Sequence, residues 1–584
     1  MASPRFLSSL QARVRSIPSH GLRTCVSSSA RTLKHFAKDP LVLNIPRADV
    51  YRFGDANRAT PVFRDLEWSI KANESWAIVG TGSGEKQTLF DMLMGHLRIQ
   101  PPPPPPAGLF PFLSNNEDPH KTVSIVSFAN KRTAGGAFYD YTARYGAVRE
   151  EDRITLRQSM FPETIDDLKA QSRIALESRS TDPKLFEHLV NKMGLAHLLD
   201  LPRIVLSNGQ TRRARILKAL LEKPRLLLLD EPLTGLDVAN RSTVLEILHE
   251  LHSACDPHII IALRMQDAVP SWITHLAVVN EGTVRTGPKD SLVSYQAQIN
   301  EASAARDEQA ERAKPNEGEA VVEMKDVCVT YGPRRVLKNV NWTIRAGQRY
   351  HLQGPNGSGK TTLLALLTGD HPQSYAQSPG HLRLFGLPRS KLATRVLAAR
   401  IGVVSPELFD AFPRRAPGMS VWEAVGTGFD GGFVALGARG VGIGLGGTGA
   451  LSEAEEAARV ERCWDVLRAL GPDAWGTGEA EGEETERWAQ RKFMDLPVGE
   501  QRMVLLMRAL VGRAQLILLD EVWSGMDHRM IGAARHYLRS GGVGPEQSVV
   551  VVTHLDDEVP WGERDGVVRV RLDGGEMHIL AAEV

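Results

Sequence analysis

No run of 18 or more apolar residues occurs in the 584-residue chain, so no segment is long enough to cross the hydrocarbon core of a bilayer as a helix. A transport role would therefore need separate membrane chains. Cysteine is scarce: Cys25, Cys255, Cys328 and Cys463 are the four present, without CxxC or metal-ligand spacing. That excludes a disulfide framework and a zinc site, and it fits free thiols in a reducing compartment. Neither sign of charge prevails, with 70 Lys and Arg against 69 Asp and Glu, so no global basic field advertises nucleic acid as a partner. Acids are missing from residues 1–38, which hold Arg5, Arg13, Arg15, Arg23, Arg31, Lys34 and Lys38 among many serines. With Phe6, Leu10, Val14 and Ile17 near helical spacing, this is the composition of a mitochondrial transit peptide; the alternative is a basic tail on a cytoplasmic protein.

What is present is organised around Gly354 to Thr362, reading G-P-N-G-S-G-K-T-T. An apolar strand carrying Tyr350 and Leu352 precedes it and a helical run with Leu363, Leu364, Leu366 and Leu367 follows, which is the context a Walker A loop needs. Gly354, Gly357 and Gly359 let the backbone around Pro355, Asn356 and Ser358 turn its N–H groups toward phosphate oxygens, at the positive end of the helix dipole. Lys360 adds a charge at the β- and γ-phosphates, Thr361 a hydroxyl for Mg²⁺, and Thr362 extends the phosphate contact.

The loop belongs to an internal repeat. Leu66 to Gly80 (L-E-W-S-I-K-A-N-E-S-W-A-I-V-G) matches Val340 to Gly354 (V-N-W-T-I-R-A-G-Q-R-Y-H-L-Q-G) without a gap, and Leu226 to Glu231 pairs with Leu516 to Glu521. Two copies of one nucleotide-binding domain, 41–292 and 321–584, are therefore expected around a polar linker at 293–320.

These motifs, in the same order twice, resemble those of ATP-binding cassette (ABC) ATPases with two fused cassettes. Leu206 to Asp237 is most similar to the first cassette of the soluble ModF/PhrA type, as are Val123 to Phe128 and Ile401 to Leu408. The resemblance implies an α/β fold of two P-loop NTPase domains, each with a parallel-sheet core, a small antiparallel β-subdomain and a helical subdomain. It also implies ATP as substrate, Mg²⁺ as cofactor, and intramolecular head-to-tail pairing, so that each nucleotide lies between the Walker motifs of one cassette and the signature of the other.

On that pairing, one site combines the second cassette's loop with Asp520 for Mg²⁺, Glu521 to polarise water, and His554, 34 residues after Asp520, as the switch histidine. Ser207, Asn208, Gly209 and Gln210 would close it from the first cassette. The other site departs from the pattern. It keeps Gly80, Gly82, Gly84, Lys86, Thr88, Asp230 and Glu231, but Glu85 stands in the place of Gly359, Gln87 in that of Thr361 and Arg264 in that of His554. Opposite, Pro497 replaces the signature serine ahead of Gly499 and Glu500. A carboxylate about 5 Å from phosphate costs about 3 kcal/mol at an effective dielectric of about 20, unless it turns away. The expectation is one hydrolytic site and one degenerate site.

Further features bear on function. The usual Q-loop glutamine is not evident: Ser405, Pro406 and Glu407 occupy its region in the second cassette, Phe128 and Ala129 in the first. Adenine stacking falls to Tyr331 and Phe53. Pro101 to Pro106 reads as a surface polyproline II stretch, and the glycine-rich run Gly426 to Gly447 as a flexible insertion. The linker bears six acids, Glu301, Asp307, Glu308, Glu311, Glu317 and Glu319, against Arg306, Arg312 and Lys314, a balance that phosphate would repel. The leading reading is a soluble tandem ATPase whose closure acts on an unidentified protein partner. The alternatives are the energising subunit of a transporter with separate membrane chains and a ribosome- or nucleic-acid-associated protein.

Overall fold

The computed structural model describes residues 40–580 except 55–59, 81–82, 106–107, 114–116, 129–153, 161–182, 202–205, 207, 237, 254–256, 266, 281, 295–317, 332–333, 415–417, 445–450, 477–482, 555 and 563–564. The basic stretch 1–38, most of the linker and Ser207 thus lie outside the described residues. Leu41–Val584 forms one compact unit, built from two repeats of the same α/β design.

Each repeat buries a parallel sheet on both faces, and the strand sequences show why. In Leu226–Asp230, Leu227 and Leu229 face one core cluster while Leu226 and Leu228 face another. In Leu516–Asp520, Ile517 and Leu519 divide in the same way from Leu516 and Leu518. A strand covered on both sides has to read as a continuous apolar run, which L-L-L-L-D and L-I-L-L-D do.

The first repeat makes a single nine-stranded mixed sheet. Its order is Leu97–Gln100, Leu41–Arg52, Phe63–Lys71, Thr283–Pro288, His275–Asn280, Trp76–Gly80, His258–Arg264, Leu226–Asp230 and Val123–Ser127. The antiparallel portion joins the rest where Arg64 pairs Thr283. In the second repeat the two portions are separate. Arg334–Arg345, Ala320–Tyr331, Leu382–Leu384 and Leu387–Pro388 form an antiparallel sheet. The core sheet orders Ile401–Val404, Leu516–Asp520, Ser548–Val552, Arg349–Gln353, Val567–Asp573 and Glu576–Leu580. In both repeats the strand leading into the phosphate loop is central, so the loop emerges at the carboxyl end of the sheet, where open α/β sheets bind ligands.

The helical portion of the second repeat centres on Val498–Val511, whose residues are buried almost throughout. Around it lies Glu453–Leu470, started by a Ser452–Glu455 capping box. The glycine-rich run packs here, and the expectation of a loose insertion is corrected over its described part. Gly426 ends a buried helix, Val421–Gly426. A Cβ on Gly428 would come within 2.0 Å of Arg508 O, and one on Gly431 within 2.2 Å of Ala398 O. Asp430 then ties the far end of the run, accepting from the N–H of Ile443 at 2.7 Å and from Arg459 Nη1 at 3.0 Å. Glycine is abundant because backbone meets backbone, and the close packing offsets the entropy that so many glycines lose.

Candidate functional site

The second-repeat loop is shaped by its glycines. Gly354, Gly357 and Gly359 have φ of 153°, 82° and 108°. A Cβ on Gly354 would sit 2.1 Å from Leu572 O, and one on Gly359 2.8 Å from Leu337 Cδ2, so close approach and conformation both demand glycine. The helix Lys360–Thr368 starts after Gly359 and anchors itself with the buried Leu363, Leu364, Leu366 and Leu367, each contributing about 2 kcal/mol of burial. Thr361 is exposed on its first turn. Lys360 Nζ donates to Gly354 O at 2.6 Å and Pro355 O at 3.0 Å, so the loop wraps the ammonium in carbonyl oxygens.

Facing the loop stands an acidic cluster. Burial pushes the Asp520 carboxyl well above its usual range, and the neighbouring Glu521 and Glu407 add to the effect against Lys360 and Arg502. Burial raises Glu521 as well, opposed by Arg502 and by Arg212 from the first repeat. Carboxyls that discourage one another's charge in this way suit a bound cation. Among the described residues no three His, Cys, Asp or Glu side chains are placed to hold a metal by themselves. The donor set of one buried carboxylate and one loop hydroxyl fits Mg²⁺, which takes its remaining oxygens from phosphates and water. Glu521 has φ of 47°, a left-handed turn that re-aims the chain directly after the strand.

In the first repeat the helix begins at Ser83, earlier than in the second, and Glu85 lies in its first turn. A helical Glu replaces the left-handed Gly359, and the concave arrangement of N–H groups is exchanged for a regular turn. The Glu85 carboxylate does turn away, accepting from Gly282 N at 3.0 Å. Gln87 Nε2 donates to Asp91 Oδ1 at 3.1 Å and Thr88 Oγ1 to Gly84 O at 2.7 Å, so both spend their polar groups within the helix. Lys86 is buried and pairs with Glu231 Oε1 at 2.7 Å while donating to Leu263 O at 3.2 Å. Burial works to raise Glu231, but the charge and hydrogen bond of Lys86 outweigh it and hold the carboxyl below its ordinary value. Asp230 Oδ2 accepts from Ser127 Oγ at 3.2 Å.

Between the repeats, Asn356 Nδ2 donates to Gly235 O at 3.2 Å, and a Cβ on Gly235 would come within 3.2 Å of Glu521 Oε2. Burial lowers Arg212 to about 10, with the Glu521 carboxylate opposing. Arg264 Nη1 pairs with Glu558 Oε1 at 3.2 Å. A small cleft opens here, lined by Thr234, Gly235 and Arg264 of the first repeat and by Glu521, His554 and Glu558 of the second.

Of the expected residues, Lys360, Asp520 and Glu521 come together, and His554 shares the cleft with Glu521. Gly209 and Gln210 start the helix Asn208–Leu221, where a Cβ on Gly209 would meet Asn240 Cγ of its own repeat at 2.9 Å. Gly235 O accepts the hydrogen bond that Asn356 of the second-repeat loop donates. Gly82 and the side chains of Asn208 and Tyr331 lie outside the described residues, while Phe53 is exposed. Opposite the first-repeat loop, Pro497 caps Val498–Val511 without a side-chain hydrogen bond. Gly499 is tight enough that a Cβ would lie 2.5 Å from Gly525 O, and Glu500 Oε2 accepts from Trp488 Nε1 at 2.6 Å. Sequence reasoning did not find Arg212, Gly235 and Glu558, because nothing local marks residues that act across the chain. Glu407 carried a signal, its place in the Q-loop region, but its nearness to Asp520 shows only in three dimensions.

The comparisons with known proteins bear on the family and the fold. An uncharacterized ABC transporter ATP-binding protein of Schizosaccharomyces pombe is 30% identical over 529 residues, covering 89% of this chain and 96% of that one. The ABC transporter ATP-binding protein ModF of Escherichia coli is 27% identical over 506 residues, covering 84% and 90%. Among solved structures, an archaeal ABCE1, described with Pelota in a ribosome-bound model, superposes with a TM-score of 0.54 at 16% identity, covering 91% and 78%. That likeness shows the fold alone. The family described as ABC transporter matches twice, at residues 63–234 and 337–524. ATP is what the cassettes of this family bind and hydrolyse, with Mg²⁺ as their general cofactor, and this chain belongs to the family as a tandem ABC ATP-binding protein with two cassettes in one polypeptide.

Proposed function

We propose that the chain hydrolyses Mg-ATP at one composite site, built on the second cassette's Walker motifs and closed by the first cassette's signature, while the paired site is degenerate. The observation that carries this is the contrast between the two lysines. Lys86 is buried in an ion pair with Glu231 at 2.7 Å, whereas Lys360 lies against loop carbonyls beside the acidic pair Asp520 and Glu521.

At the hydrolytic site the loop N–H groups and Lys360 bind the phosphates, Thr361 and Asp520 hold Mg²⁺, and Glu521 orients the attacking water. Mg²⁺ supplies charge neutralisation between the phosphate oxygens. Bound there, Mg²⁺ would favour the charged form of the Asp520 and Glu521 carboxyls, which burial opposes. His554 contacts the γ-phosphate from the strand end, and Gly235 keeps the first cassette against Glu521. Closure of the two cassettes then acts on a protein partner.

The test is ATP turnover by the full chain. Lys360→Ala and Glu521→Gln should each reduce it at least about 100-fold, as expected for the loss of a phosphate-binding charge and of a water-orienting carboxylate. Lys86→Ala should leave it within about twofold. Equal losses at the two lysines would refute the asymmetry.

A further inference from the structure

We infer that Arg264 is a positioning residue for the other cassette's hydrolytic site, a strut that fixes the switch segment of the second cassette through Glu558. This rests on the reading that Glu521 and His554 serve that site. Arg264 occupies, in the first cassette, the position equivalent to His554, 34 residues after the Walker B aspartate. At the degenerate site it would count as a loss. The geometry assigns it work elsewhere.

Arg264 is held from behind by Asp267, donating Nε to Oδ2 at 3.1 Å and Nη2 to Oδ1 at 2.9 Å. Asp267 is itself fixed by the Arg264 backbone N–H at 3.1 Å and by Arg241 Nη1 at 3.2 Å. The remaining arm of the guanidinium crosses to the second cassette and meets Glu558 Oε1 at 3.2 Å, with side-chain exposures of 9% and 15%. Glu558 passes the constraint on: the Thr553 hydroxyl donates to its other oxygen, and its backbone carbonyl accepts from Trp523 Nε1 at 2.5 Å. Thr553 is the residue before His554. One partly buried carboxylate thus ties down the residue before the switch histidine, and the first cassette holds that carboxylate.

A histidine at position 264 could not do this. Its two ring nitrogens cannot form two bonds to Asp267 and still reach Glu558, whereas the five donors of a planar guanidinium can. Burial works against the charge of Arg264, yet Asp267 and Glu558 keep its pKa above the ordinary arginine value, so the strut stays charged at any pH the protein meets. The change from histidine to arginine removes a switch from one site and fastens the switch of the other.

The experiment is steady-state ATP hydrolysis by the full chain carrying Glu558→Gln, Arg264→Met or both, with Glu521→Gln alongside and unfolding midpoints recorded for each. Each single variant should lower kcat about tenfold with KM for ATP within about twofold, and the double variant should be no slower than the slower single one, because both remove the same interaction. Glu558→Gln keeps the Arg264–Asp267 pair and so tests the strut even if Arg264→Met does not fold. Losses that multiply in the double variant overturn the proposal, as does an unchanged kcat in Glu558→Gln. If Glu521→Gln abolishes turnover while Glu558→Gln leaves kcat intact, the strut is refuted and the hydrolytic-site reading stands. If Glu521→Gln turns over normally, both fall.

Discussion

Lys86 and Lys360 occupy equivalent places in two copies of one strand-loop-helix unit, and they keep opposite company. Lys360 sits among loop carbonyls below three glycines of positive φ. Lys86 lies inside a helix that begins a turn earlier, and its charge is matched by Glu231. Departure from the phosphate-loop sequence therefore leaves the fold intact. A left-handed glycine position became a helical glutamate, the cradle became a helical turn, and the lysine found an internal partner. On the proposed reading, the same residue type serves ligand binding in one cassette and stability in the other.

The sharpest way to break this comparison is the turnover experiment, where Lys360→Ala and Lys86→Ala should differ by about two orders of magnitude. The converse difference should appear in stability. Lys86→Met removes the cation paired with Glu231, leaving Arg264 as a neighbouring charge that still favours the carboxylate, and should cost about 3 kcal/mol in denaturant unfolding. Adding Glu231→Gln should recover most of that loss, because it removes the stranded charge. Lys360→Met should cost less than about 1 kcal/mol by the same measurement. If Lys86→Met were as mild, the buried pair would not be the structural element its geometry indicates.

A milder pair of substitutions compares the loop backbones. Gly359→Ala places a Cβ at φ 108° and 2.8 Å from Leu337 Cδ2 and should cost about 1–3 kcal/mol. Glu85→Ala sits in a helix and loses one hydrogen bond to Gly282 N, which amounts to about 1 kcal/mol. Urea midpoints for the two variants, at equal m-value, decide it.

These differences mark what was legible beforehand. The Walker loop, the repeat and the paired L-L-L-L-D-E and L-I-L-L-D-E strands could be read directly, because each is local: the residues that make the phosphate turn are consecutive, and a doubly covered strand has to be continuously apolar. The substitutions at Glu85, Gln87, Arg264 and Pro497 were legible as departures from the repeat. The consequences at Glu85 and Arg264 were not, since their partners Gly282 and Glu558 lie 197 and 294 positions away and are brought in by the fold. The glycine run at 426–444 was misread because composition reports the entropy that glycine loses and is silent about the backbone it lets in. Gly235 had no signal of its own beyond following Glu231.

The smallest expected effect lies where the first-cassette loop meets the second cassette. Asp527, the N-cap of the helix His528–Tyr537, accepts from Met530 N at 2.8 Å. Burial pushes its pKa up to about 6, and Glu85 of the other cassette adds to the rise against the helix N–H groups. A carboxyl raised in the folded state binds more protons folded than unfolded, so its contribution is full at low pH and is lost as pH climbs from about 4 through about 6. Asp527→Asn keeps the cap and removes the titration. Because Asp527 keeps partial contact with solvent, screening cuts the full linkage value of about 3 kcal/mol, and the wild-type chain should lose about 1 kcal/mol over that interval relative to the variant, read from unfolding midpoints at pH 4, 5, 6 and 7. Glu85→Gln should flatten the same slope in part, because it withdraws one of the charges that hold the Asp527 proton on. A slope untouched by Glu85→Gln would mean that the two carboxylates do not feel each other, and that the degenerate loop faces its partner cassette without electrostatic strain.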